Sequence, residues 1–350
     1  MGMKTSAKSG DPFHIAYLDG WRGMAIVMVL VAHFLGTGHY IDAGRFGVDV
    51  FFVLSGMLIS GILFVKNTPL FTFYQRRISR IIPAFYLFTI IIFIISRALA
   101  LGSGFGFREL ASTLFFLRTY YPYDPPNVPH IWNTGYPTGH LWSLNVEEHC
   151  YVILSLFAVL SITSRAKLGI GICLIGLIFT GTTLFYIHNA STAPIEFQIR
   201  TETAGAYVLL SAGYFLLRDR IRKFVRPWMP VTAFVIAAAF YTPYLPKWTI
   251  VGTPFLLAFA VNHLSEAGLL VRDLLSWAPL RMMGLWSFSI YLWQEPFYEF
   301  RRLFWTPAFA LFVAVLAGIS SFYLFERPMR NGINRRFAKA PVLKKEALLR

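Results

Sequence analysis

Charge is what this sequence has least of. Only 14% of its residues are Asp, Glu, Lys or Arg, against roughly 25% in soluble domains. Cysteine is nearly absent too. Cys150 and Cys173 both lie in apolar helical stretches, so a disulfide framework is not expected, and no Cys/His cluster has zinc spacing. No metal site is expected. The first residues, MGMKTSAKSGDPFH, lack the apolar core of a cleaved signal peptide. No internal repeat is visible. These absences argue against a soluble enzyme, a disulfide-stapled secreted module and a zinc-held fold.

What fills the sequence is apolar surface. It is 56% hydrophobic and 17% aromatic, with several stretches close to twenty residues long that carry no charge. That is the length needed to cross a bilayer. The fold class expected is all-α, a polytopic transmembrane helical bundle. The net charge of +15 is read as basic cytoplasmic loops and contact with membrane lipids, not as a nucleic-acid partner.

About ten spans are expected, near 17–36, 46–65, 81–100, 141–163, 168–188, 202–217, 228–243, 248–264, 283–300 and 306–325. Residues 107–118 are apolar but too short to cross. With the N-terminus in the cytoplasm, about 24 of the 32 basic residues fall on the inner side, which decides for this topology and puts both termini in the cytoplasm. Residues 1–16 form a cytoplasmic N-terminal segment, 17–330 the membrane domain, and 331–350 a basic cytoplasmic tail.

The first span, YLDGWRGMAIVMVLVAHF, carries Arg22 and His33. Eleven residues make three helical turns plus about 20°, and about 16 Å of rise. Both side chains therefore leave one face of one helix at two depths. Ionisable groups in a membrane are costly and usually face the bundle interior or a water-filled cavity. A buried histidine merely bonded to a neighbouring helix is the plain alternative.

Five segments occur in order: YLDGWRGMAIVMVLVAH, GVDVFFVLSGMLIS, FYQRRISRIIPAFY, HLWSLNVEEHCYVI and SFSIYLWQEP. Together they resemble acyltransferase family 3, integral membrane proteins that O-acylate cell-surface and secreted glycans. The resemblance covers about 17–330. It implies a bacterial inner-membrane O-acyltransferase. Such an enzyme moves an acyl group, most simply acetyl, from cytosolic acyl-CoA to a hydroxyl of a glycan acceptor on the outer side. Acyl-CoA is then a co-substrate, and no permanently bound cofactor is expected. The sequence fixes no oligomeric state.

The resemblance matches Arg22 and His33 to the family's arginine, ten residues, histidine pattern and implies that His33 is essential. A neutral imidazole can take the proton of an attacking sugar hydroxyl, or carry the acyl group transiently, and the sequence does not separate the two. Glu147 in WSLNVEEH comes out within about 6 Å of the depth of His33, so it is expected to orient or charge-stabilise that ring. Glu148 points about 100° away on the helix and is the second choice. Arg77 and Arg80, three apart, share a helix face. With Arg76 they can be ordinary inner-side anchors; the resemblance matches them to an arginine pair that handles acyl-CoA. Guanidinium groups suit phosphate oxygens, and Arg22 can join them.

Asp49, near the outer end of the second span, is expected to touch the acceptor or pair with Arg45. Ser55 and Gly56 are read as close helix packing. Trp142, Ser143 and Gln294 are further substrate-binding candidates, and Ser143, Asn145 or Gln294 can serve as oxyanion donors. Tyr120, Tyr121, Tyr123, Trp132 and Tyr136 form either an aromatic belt or a sugar platform. One departure stands out: the late family motif commonly ends in histidine, and this sequence has Gln294 there. Glutamine can donate and accept hydrogen bonds but is no base, so an orienting role is expected. No extramembrane hydrolase-like domain of the kind some family members carry is found, so a soluble second transfer step would need a separate protein. The competing class is a glycan or lipid-linked sugar transporter. Buried ionisable groups fit it generically, but the paired repeats or broken helices common in transporters are not found.

Overall fold

The computed structural model describes residues 15–99, 106–120, 137–160, 164–194 and 196–339. Among the described residues every regular element is helical. The helices are α1 (Ala16–Leu35), α2 (Ala43–Ser60), α3 (Leu70–Ala98), α4 (Phe107–Leu114), α5 (Trp142–Val159), α6 (Arg165–His188) and α7 (Thr201–Leu217). They continue with α8 (Met229–Ala239), α9 (Thr253–Asn262), α10 (Leu269–Leu275), α11 (Ala278–Glu299), α12 (Pro307–Ser321) and α13 (Arg327–Lys339). Wider π turns extend α2 through Gly61–Val65 and join α12 to α13 through Phe322–Glu326.

Local chemistry sets several ends. α1 stops at Gly36, whose φ of 70° is the left-handed conformation glycine adopts freely. The Asp42 side chain caps α2 by accepting from the Arg45 backbone N–H at 3.0 Å. α12 starts with Thr306 accepting from the Phe309 N–H, followed at once by Pro307.

Among the described residues, five helical stretches are long and apolar enough to cross a membrane: Ala16–Leu35, Ala43–Val65, Leu70–Ala98, Arg165–His188 and Pro307–Phe337. That is fewer than the ten expected, and the helices themselves show why. α8 and α9 have 11 and 10 residues, or about 15–16 Å at the helical rise, against a hydrocarbon core of about 30 Å. α5 and α11 are longer but carry Glu147 and Glu148, and Gln294, Glu295 and Glu299. α4, with 8 residues, is too short to span, as expected for 107–118. The last stretch runs past 325 into α13, so the first part of the expected tail is helical.

α1 packs between α2 and α11, and α7 packs against α2, α5, α6 and α9. These helices hold the main core. A smaller core joins α3, α5 and α11 through Ile81, Phe85, Phe88, Leu144 and Leu292. The space between α3 and the main bundle is where the charged residues collect.

Candidate active site

The meeting of α1 and α11 is made possible by glycine. A β-carbon on Gly23 would lie 1.9 Å from the Leu280 carbonyl oxygen, and one on Gly284 would lie 1.9 Å from that of Asp19. No side chain fits there, so the two backbones touch. Further along, this contact brings His33 of α1 against Gln294 of α11, with His33 Nδ1 2.7 Å from Gln294 Oε1. Gln294 Nε2 donates to Glu295 Oε2 at 2.9 Å. Glu295 is buried and lies 4.0 Å from His33 Nδ1 and 3.8 Å from the Nδ1 of buried His140. The His33 ring stacks on Tyr298 with centroids 4.4 Å apart. It keeps 24% of its side-chain surface exposed, so it is the accessible member of the group. A β-carbon on Gly44 would stand 3.7 Å from His33 Nε2 and 3.8 Å from Asp42 Oδ1.

Toward the other end of α1 lies a cavity of about 110 Å³ lined by Arg22, Ser55, Arg77, Arg80, Ser143, Glu147, Ser287 and Tyr291. Its arginines are not equivalent. Arg77 is committed: NH2 donates to Glu147 at 3.0 Å, Nε donates to Glu148 at 3.0 Å, and the guanidinium lies 3.5 Å over the Tyr151 ring. Arg22 has only a loose pairing with Asp19 at 3.8 Å. Arg80 has no ion-pair partner among the described residues. Two guanidinium groups thus line one small cavity with little neutralisation, an arrangement suited to an anion.

The cavity and the His33 cluster are joined along α11. Tyr291 lines the cavity, donates to the His140 carbonyl at 2.8 Å, and with its one hydrogen so used accepts from the Ser143 hydroxyl at 2.8 Å. Glu295 sits one turn further on, between His140 and Gln294.

A second opening, of about 580 Å³, has Asp42 and Arg45 on its wall together with Gln198, Tyr186, Tyr207, Tyr241 and Lys247. Arg45 donates to buried Asp49 at 2.9 Å, and Tyr241 donates to the same carboxylate at 2.7 Å. Arg45 also lies 4.7 Å over the Trp142 ring.

Several expectations need correction. Glu147 does not orient His33: its oxygens take Ser55 at 2.6 Å and Arg77 at 3.0 Å. Depth along two helices was matched, but depth says nothing about which way each side chain turns about its axis. Glu148, expected to diverge from Glu147, converges with it because one guanidinium lies between them. Arg77 and Arg80 share the cavity but do not form a free pair. Asp49 pairs with Arg45, as one reading had it, and is too buried to offer a surface to an acceptor. Trp142 is buried beneath Arg45 and edge-on to Phe52, and Ser143 faces the arginine cavity instead of the His33 end. Ser55 does more than pack, since it donates to Glu147. Gly56 does pack: its β-carbon would meet the Val208 carbonyl oxygen at 2.1 Å. Tyr120 hydrogen-bonds to Glu202 and accepts from the Thr201 N–H; Tyr121, Tyr123, Trp132 and Tyr136 lie outside the described residues.

Glu295, His140 and Tyr291 were missed. A carboxylate directly after Gln294 in an apolar run was signal enough for Glu295, since buried acids are rare without a partner. His140 and Tyr291 carry no such mark.

The family model for an acyltransferase domain matches residues 15–328. A peptidoglycan O-acetyltransferase, OatA, of Listeria monocytogenes is 26% identical over 313 residues, covering 81% of this chain and 49% of its own length. An O-acetyltransferase OatA of Staphylococcus aureus is 25% identical over 386 residues, covering 98% of this chain and 62% of its own. The chain therefore spans about half to three-fifths of the length of these relatives. No solved structure matches it. On the strength of the match to residues 15–328, the chain belongs to the acyltransferase 3 family.

Proposed function

We propose that this protein is an O-acyltransferase of the bacterial inner membrane. It takes an acyl group, acetyl in the simplest case, from cytosolic acyl-CoA and passes it to a glycan hydroxyl on the outer side. The names of the relatives, which specify O-acetylation and in one case peptidoglycan, support an acetyl donor and a glycan acceptor. The observation that carries the reading is the pairing, on one face of α1, of a sparsely neutralised arginine cavity with an imidazole held by α11.

In this reading the Arg22 and Arg80 guanidinium groups hold the CoA phosphates. The pantetheine arm, long and nearly uncharged, covers the roughly 16 Å of helix between Arg22 and His33. The glycan enters from the opening walled by Asp42, Arg45 and its aromatic residues, which offer hydrogen bonds and apolar faces to sugar rings. The hydroxyl oxygen attacks the thioester carbonyl carbon while His33 Nε2 takes its proton. The C–S bond then breaks, and the CoA thiolate recovers that proton from the imidazolium. General-base assistance of this kind contributes about 10²–10⁴-fold in rate.

The test is direct. Protein purified into lipid nanodiscs is given acetyl-CoA and soluble peptidoglycan fragments. Free CoA thiol and an ester-linked acetyl group on the glycan are expected in equal amounts. Vectorial movement of the glycan with no thiol released would support a transporter and defeat the proposal.

A further inference from the structure

The contacts around His33 decide which of its nitrogens is the base. A glutamine amide has a donor end and an acceptor end. The Gln294 nitrogen is turned to Glu295 Oε2, at 2.9 Å. That leaves the oxygen end, Oε1, facing His33 Nδ1 at 2.7 Å. A carbonyl oxygen only accepts, so Nδ1 must carry hydrogen. In a neutral ring the lone pair is then on Nε2. Nε2 is the nitrogen on the Gly44 side: a β-carbon on Gly44 would stand 3.7 Å from it and 3.8 Å from Oδ1 of Asp42, which lies on the wall of the larger opening.

We infer that Gln294 and Glu295 are a positioning pair that locks His33 in the tautomer with Nε2 free, the carboxyl group fixing the amide and the amide fixing the ring. The inference rests on the proposed transfer only for the use made of that nitrogen. The arrangement has the logic of an acid–histidine pair in a hydrolase triad, where the acid's main work is to hold tautomer and orientation. Here an amide is inserted between the two. Glu295 Oε2 still lies 4.0 Å from His33 Nδ1, close enough to favour the imidazolium that forms when the ring takes a proton. Tyr298, stacked on the ring, limits its rotation.

His140 is the other ring near this carboxyl group. Its Nδ1 lies 3.8 Å from Glu295 Oε2, beyond hydrogen-bond distance, so that oxygen is left to the Gln294 amide.

The experiment is nitrogen-15 NMR of imidazole-labelled protein in nanodiscs. The sequence has eight histidines, so the His33 signals are identified by their loss in His33→Gln. In the wild type we expect a protonated Nδ1 and a bare Nε2. In Gln294→Leu and Glu295→Gln we expect mixed tautomers, and in Gln294→Glu, which keeps an acceptor against Nδ1, the wild-type pattern. A wild-type spectrum with Nε2 protonated overturns the inference. So does a pattern unmoved by Gln294→Leu in protein whose α-helical circular dichroism matches the wild type. In turnover assays Gln294→Leu is expected to lower kcat about 100-fold while leaving KM for acetyl-CoA within about twofold. Equal losses in both would make the residue merely structural. Because the spectrum is read without turnover, a correct tautomer in a protein that transfers nothing would defeat the proposed function and leave this assignment standing.

Discussion

Single residues in this protein divide into those with spent charges and those with charge to spare. Arg77 is spent on two glutamates, and Arg45 on Asp49. Removing one partner of a buried pair leaves an uncompensated charge and costs about 3–5 kcal/mol. Asp49→Ala is therefore expected to lower thermal stability sharply, and Arg77→Ala to do the same, in scanning fluorimetry of detergent-solubilised protein. Arg80 lacks such a partner among the described residues, and Arg22 has only a 3.8 Å contact with Asp19. Arg80→Gln should leave the melting temperature within a degree or two of wild type. It should also raise KM for acetyl-CoA about tenfold, the loss of one charge-assisted phosphate contact. An unchanged KM would remove Arg80 from the donor site.

The residue scale is also where sequence reading stopped short. The eleven-residue spacing places Arg22 and His33 on one face because helical pitch is fixed by the backbone. The partner of His33 depends on where α5 and α11 turn about their axes, and spacing within one helix holds no information on that. So the sequence marks Gln294 as the odd residue of its motif, but carries no sign that Glu147 turns to Ser55 and Arg77 or that Glu295 lies beside His33.

At the scale of elements, the site depends on α1 and α11 touching along their backbones. Gly23→Ala places a methyl group where the Leu280 carbonyl oxygen already stands, and Gly284→Ala does so against Asp19. Neither obstacle is a flexible side-chain end, so the helices must part and the His33–Gln294 contact lengthens. Both variants are expected to lose most transfer activity and to melt earlier. Gly181→Ala in α6 is the control, since nothing lies within 4 Å of its added carbon. It should be neutral, or stabilising by up to about 1 kcal/mol from helix propensity. Helix existence was legible from apolar runs alone. Not every expected span corresponds to one long apolar helix, because α8 and α9 are short and α9 is entered through a separate turn at Lys247–Gly252.

On the scale of the whole molecule, the two openings differ in kind and are lined by different sets of helices. The arginine cavity is small, cationic and enclosed by α1, α2, α3, α5 and α11; the larger opening is walled by polar and aromatic groups. Ser143, Tyr291, His140 and Glu295 form a polar run from the arginine cavity to the His33 cluster. Under the proposed transfer, such a layout suits a donor whose charged end stays in the arginine cavity while its acyl end reaches the imidazole. The measurement that tests this account most directly is the rate of CoA release and glycan acetylation by His33→Ala beside the wild type, at saturating acetyl-CoA in nanodiscs. The account predicts a kcat at least about 10²-fold lower with an intact fold and an unaltered affinity for acetyl-CoA. Turnover by His33→Ala at the wild-type rate would contradict it.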